Sequence, residues 1–111
     1  MDKNIDSLYL EIAERISDAI DESWDTAVID FKYFGDAGEY TGRYTSDDFS
    51  GEKDFKVGFK NYKSLKRIHE ITTEGGSNMW NKALFTLQRS GEFSIDFEWD
   101  QVLADEIESN S

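Results

Sequence analysis

K-A-L-F-T-L-Q-R-S-G-E-F-S-I-D-F-E-W, residues 82–99, alternates apolar and polar side chains on both sides of a glycine-containing turn. Ala83, Phe85 and Leu87 fall on one side of an extended chain, with Leu84, Thr86 and Gln88 on the other. Arg89-Ser90-Gly91 supplies the turn. Phe93, Ile95, Phe97 and Trp99 then alternate with Glu92, Ser94, Asp96 and Glu98. A period of two on both sides of a short turn predicts a β-hairpin. Side chains alternate across a sheet, so the aromatic row is expected to face a core and the acidic row to face water.

The hairpin needs a covering layer, and the sequence upstream provides one. Ile5, Leu8, Tyr9, Ile12, Ala13, Ile16, Ala19 and Ile20 recur at three- and four-residue spacing, which predicts an amphipathic helix with Asp2 or Asn4 as its cap. Asp6, Glu11, Glu14, Arg15 and Asp18 fall off its apolar face. A second hairpin follows. Ala27, Ile29, Phe31 and Tyr33 alternate with Val28, Asp30, Lys32 and Phe34, the run G-D-A-G at 35–38 turns the chain, and Tyr40 and Tyr44 return on one face. S-D-D-F-S-G-E-K-D reads as a loop. Phe55, Val57 and Phe59 suggest a short third strand. Tyr62, Leu65, Ile68, His69 and Ile71 suggest a second helix stopping near Gly75-Gly76. D-Q-V-L-A-D-E-I-E-S predicts a short closing helix. The expected fold is α+β, an antiparallel sheet of four to five strands packed by helices, in the order α-β-β-(β)-α-β-β-α. No repeat or linker divides residues 1–111, so one domain is expected.

Composition narrows the function. With 24 acidic and 12 basic side chains the net charge is −12. Such a surface repels nucleic acid and anionic membranes, whose binding rests on Lys and Arg. It attracts basic proteins and speeds the encounter, although acidity also serves plain solubility. A basic island, Lys53, Lys56, Lys60, Lys63, Lys66 and Arg67, interrupts the acidity. It is too small against the acid excess to predict a nucleic-acid site. The chain has no cysteine, which excludes disulfides, thiolate metal ligands and cysteine nucleophiles and favours a reducing, cytoplasmic compartment. No apolar run approaches the roughly 20 residues of a membrane span, and the first residues carry no signal-peptide pattern.

Catalytic motifs are equally sparse. The single histidine, His69, sits among Leu65, Ile68 and Ile71 and reads as structural. A catalytic histidine needs a nucleophile or carboxylate held in geometry. Asp47-Asp48-Phe49-Ser50-Gly51-Glu52 lacks the spacing of a calcium loop. Asp96 and Glu98 share a strand face and could approach each other as glycosidase acids do, but the same alternation describes a solvated strand. No enzyme activity, metal or cofactor is expected. The remaining feature is the wet side of the sheet, to which alternation sends Asp30, Glu39, Glu92, Asp96 and Glu98, diluted by Lys32, Arg43 and Lys56. With the loop acids Asp47 and Asp48, and with Phe34 and Phe49 as apolar anchors in polar surroundings, these residues form the expected partner-binding set.

The residues that decide the fold also carry a resemblance. Trp80, Phe85, Leu87, Gly91, Phe93, Ile95, Asp96, Phe97 and Trp99 resemble the closing hairpin of YezG-like immunity proteins, in which a Trp precedes T-F-x-L, a Gly-containing turn and F-x-I-D-F-x-[YW]. L-Y-L-E-I-A-E-R-I at 8–16, followed by Trp24, is similar to the family's opening helix. Asp21-Glu22-Ser23 stands where the family carries a proline, and residues 46–79 do not follow its pattern. The resemblance implies a bacterial antitoxin that neutralises a cognate toxin, often a nuclease, by stoichiometric binding. The expected partner is then a toxin with a basic surface, with no nucleic acid or membrane bound and no homo-oligomer required. The alternative from composition is an acidic structural or regulatory interaction module without a toxin, with self-association left open.

Overall fold

The computed structural model describes residues 4–34, 38–76 and 79–109. Asp2 and the turn residues 35–37 lie outside that range. Helix α1 spans Ile5–Ala19, and Asn4 caps it by accepting a 2.8 Å hydrogen bond from the Ser7 amide. Leu8, Ile12 and Ile16, one turn apart, are buried. The chain then becomes extended at Ile20, whose side chain is also buried.

Five strands follow the hydrophobic alternation: β1 (Thr26–Tyr33), β2 (Gly38–Thr45), β3 (Lys53–Phe55), β4 (Lys82–Gln88) and β5 (Phe93–Glu98). Helix α2 is Phe59–Thr72 and helix α3 is Gln101–Ser109. The sheet order is β3-β2-β1-β4-β5, and every neighbouring pair is antiparallel. Register stacks the core in rows. Phe31 lies opposite Tyr40 and Ala83, Ile29 opposite Gly42 and Phe85, and Ala27 opposite Tyr44 and Leu87. These side chains meet Leu8, Ile12 and Ile16 of α1 and Leu65 and Ile68 of α2 in one hydrophobic cluster. The shortest dimension of the Cα trace is 20 Å, enough for one sheet and one helical layer, whose backbones pack roughly 10 Å apart.

Gly42 is required by packing. A Cβ there would stand 2.7 Å from the Phe55 ring, which covers that position of the sheet. The alternation of Phe55, Val57 and Phe59 predicts a longer third strand than the structure has. The strand stops at Phe55, Gly58 turns the chain at φ +85°, and Phe59 begins α2. The helical spacing of Asn61, Ser64, Leu65 and Ile68, all buried, prevails over the three-residue alternation. Phe59 is left largely exposed, its ring stacked on Tyr62.

The expected burial of β5 also needs correction. Phe93, Ile95 and Phe97 share a face with Leu87, Phe85 and Ala83, as the alternation requires. Yet Phe93, Phe97 and Trp99 retain 37%, 39% and 46% of their accessible surface. β5 is the sheet edge, and the helical layer only partly reaches it. Tyr9 of α1 touches Phe93 at 5.6 Å, and Trp80 stacks on Phe97 at 4.6 Å between ring centres.

Arg15 departs from the solvated role its spacing suggests. It donates to the Ser64 hydroxyl (2.8 Å), the Lys60 carbonyl (3.2 Å) and Asn61 Oδ1 (3.3 Å). Asn61, itself buried, donates to the Val57 carbonyl. The first turn of α2 is thereby tied to α1. No helix among the described residues is long and apolar enough to cross a membrane.

Candidate functional site

With α1 and α2 on one side, strand alternation directs a second set of side chains to the other. These are Val28, Asp30 and Lys32 on β1, Glu39, Thr41 and Arg43 on β2, Lys82, Leu84 and Thr86 on β4, and Ser94, Asp96 and Glu98 on β5. Towards the end of the sheet where β1 finishes, this face forms an open groove of about 700 Å³. Its carboxylates are Asp30, Glu39, Asp96 and Glu98, its cations Lys32 and Lys82, and Leu84 its apolar side chain on this face, the Phe97 ring lying on the helix side against Trp80.

The charges are not equivalent. Asp30 is ion-paired with Arg43, which also reaches Glu52 at 3.5 Å. Arg43 Nε is buried without an acceptor among the described residues. Lys82 pairs with Asp100 at 3.0 Å, and this hydrogen bond is the main reason its pKa is raised. Glu39, Asp96 and Glu98 make no ion pair among the described residues, although Lys32 stands opposite Glu39 and Lys82 opposite Glu98 in the sheet register.

Asp100 organises the end of β5. Its carboxyl accepts from the Leu103 amide at 3.1 Å, capping α3, and this bond together with Lys82 holds its pKa low. Asn81, buried, donates to the Asp100 carbonyl (2.9 Å) and accepts from its amide (2.8 Å). Asparagine here acts as a backbone surrogate that fixes where the chain leaves the sheet. Nothing in the sequence alternation singles out Asn81, because its pairing is with the main chain.

Four of the nine expected partner-binding residues meet in the groove: Asp30, Glu39, Asp96 and Glu98. Glu92 lies in the turn at the opposite end of β5, where its carbonyl accepts from the Gln88 amide. Asp47, Asp48 and Phe49 follow the far end of β2, remote from the groove. The Asp47 amide is held by the Asp25 carboxylate at 2.6 Å. Phe49 packs edge-on against Tyr44, with Lys53 Nζ 4.2 Å above its ring centre. Phe34 is half-buried just beyond β1. Sequence reasoning did not single out Lys82, Leu84 and Thr41 in this role. Their strand parity could have placed them on the open face.

His69 is held away from this face. Its Nε2 lies 2.8 Å from the Trp80 carbonyl and must donate to it, while its ring packs on Tyr33 and Trp80. Burial lowers its pKa, with the hydrogen bond to Trp80 opposing. Among the described residues, no three His, Asp or Glu side chains cluster as a metal site.

These features define a small acidic α+β protein with a carboxylate-rich groove on an uncovered sheet face. The family is clear from sequence comparison: the profile described as Immunity protein YezG-like matches residues 5–111, and the chain belongs to that family. One relative is Immunity protein YezG of Bacillus subtilis (strain 168). It is 28% identical over an alignment covering 91% of this chain and 77% of that protein.

Proposed function

We propose that this protein neutralises a cognate bacterial toxin, a nuclease, by stoichiometric binding, with the open sheet face as the contact surface. The carrying observation is the convergence of Asp30, Glu39, Asp96 and Glu98 around a groove with apolar lining. A nuclease presents a cationic cleft to its substrate, and a carboxylate-rich protein face is complementary to it. Leu84 on this face, with the partly exposed Phe97 at the neighbouring sheet edge, can contribute desolvated contact area, which exposed charge alone does not supply. The protein acts as a binder rather than an enzyme: His69 is committed to the Trp80 carbonyl and the chain lacks thiols. It needs no cofactor and works in the cytoplasm, where such a toxin finds its substrate.

Co-expression with the product of a neighbouring gene, as the candidate toxin, tests the proposal. Growth should be rescued by the parent protein, and the two chains should co-purify in fixed ratio. Rescue should be lost when Glu39, Asp96 and Glu98 are all replaced by Lys in a variant that still folds. Full rescue by that triple variant would move the contact surface elsewhere.

A further inference from the structure

Building on the toxin-binding reading, we propose that the toxin contributes an extended segment that joins the free edge of β5 as a sixth strand. Its side chains would alternate between cationic and apolar.

The hydrogen-bond phase of the closing hairpin leaves that edge open. The Gln88 amide donates to the Glu92 carbonyl, so alternation turns the main-chain groups of Ser94, Asp96 and Glu98 towards β4. Those of Phe93, Ile95 and Phe97 point away from the sheet. Among the described residues, none of these three makes a main-chain hydrogen bond on that side. The two sheet edges differ. β3 is only three residues long, whereas β5 offers six without a proline or an inward-pointing charge. Short length and an inward-pointing charge are common protections against strand addition; β5 has neither, and its charges, Asp96 and Glu98, stand on the open side where they select a cationic strand over a second acidic one.

Its flanks specify what would be added. On the helix side, Phe93, Phe97 and Trp99 are partly uncovered, and Val102 just beyond is 67% exposed. These would meet apolar side chains. On the open side stand Asp96 and Glu98, which also line the groove, so the alternate side chains should be Lys or Arg. A strand seated there would bring the toxin's body over the groove.

A second copy of this chain fits poorly. Twofold pairing about Ile95 sets Glu92 of one copy opposite Glu98 of the other, and pairing about Asp96 sets that carboxylate opposite itself. Like charges directly opposed across a ladder destabilise it, and each copy carries −12.

Residue-resolved hydrogen exchange on the parent protein, alone and with the product of that neighbouring gene, decides the question. The amides of Phe93, Ile95 and Phe97 should slow at least about tenfold in the complex, while those of Ser94 and Asp96, already paired with β4, should change little. Ile95→Pro, which deletes one outward N–H without touching the β4 ladder, should weaken the complex once circular dichroism shows it folded. A complex that forms without slowing those amides would overturn strand addition and leave toxin binding intact. Failure to bind the toxin or rescue growth would overturn both. Protection that appears in the protein alone as its concentration rises would assign the edge to a second copy instead.

Discussion

Trp80 joins three parts of the molecule through one side chain. Its indole N–H donates to Thr72 Oγ1 at 2.7 Å, its carbonyl accepts from His69, and its ring stacks on Phe97 and meets Phe31 edge-on. Only 2% of it is exposed, against 39% for Phe97. Trp80→Ala should therefore cost about 3–5 kcal/mol. Phe97→Ala, which opens a site already reached by water, should cost closer to 2 kcal/mol on the same scale. Urea unfolding measures both, and equal losses would contradict the edge position of Phe97. His69 adds a pH dependence of defined sign. Its folded-state pKa lies below the ordinary 6.5 because burial disfavours the imidazolium. Its contribution is fully present above the unfolded pKa and is lost as pH falls from there through the folded value. An NMR titration midpoint above 6.5 would show that the hydrogen bond to Trp80, not burial, dominates.

Among elements, the longer alternating runs predict structure more reliably than the short ones. β1, β4 and β5 run six to eight residues with strict alternation, and their faces in the sheet are those the pattern requires. The three apolar residues Phe55, Val57 and Phe59 are too short a run to outweigh the helical spacing that follows. Burial on β5 is not legible from alternation, which gives the face of a strand but not its distance from the sheet edge. The groove is half-legible for a related reason. Parity assigns Asp30, Glu39, Asp96 and Glu98 to one face, but only the strand order brings β2 and β5 to opposite sides of β1 and β4. The positions of Asp47, Asp48 and Phe49 depend on a loop, where no periodicity operates. Arg15 and Asn81 escape detection because their partners are main-chain carbonyls and distant polar side chains. Asn81→Ala should strand the Asp100 amide and carbonyl that it serves, at a cost of about 1–3 kcal/mol. It should also accelerate hydrogen exchange at the start of α3. Unchanged exchange in α3 would mean that Asp100 caps the helix without being positioned by Asn81.

At the scale of the molecule, charge should govern how fast the partner is met more than how long it stays. Association with a basic toxin is expected to slow as salt rises, because charges are screened beyond a Debye length of roughly 8–10 Å. Reversing Glu39, Asp96 and Glu98 to Lys should chiefly lower the on-rate, whereas truncating the half-buried Phe97 should chiefly raise the off-rate. Stopped-flow association at two ionic strengths separates the two effects. A salt-independent on-rate would leave the open-face carboxylates without a steering role. The basic residues of α2 are placed differently. Lys60 and Lys63 sit exposed on a helix that packs against the opposite side of the sheet. A basic partner approaching the sheet side is therefore not opposed by these lysines at close range.

The sheet order also sets a timetable for the newborn chain. β1 is completed by β4, and the side-chain bond from Thr26 to Gln88 across that seam spans 62 residues. A ribosome adding about 5–20 residues per second takes roughly 3–12 s to cover the 62 residues from Thr26 to Gln88. Until β4 arrives, β1 can pair with only one neighbour, β2, and its other margin is bare. The core cannot close, and any protective capacity is withheld, until translation has passed the closing hairpin. A cell making a toxin and this protein together would thus gain protection only from finished copies, and a ribosome stalled within α2 would yield none.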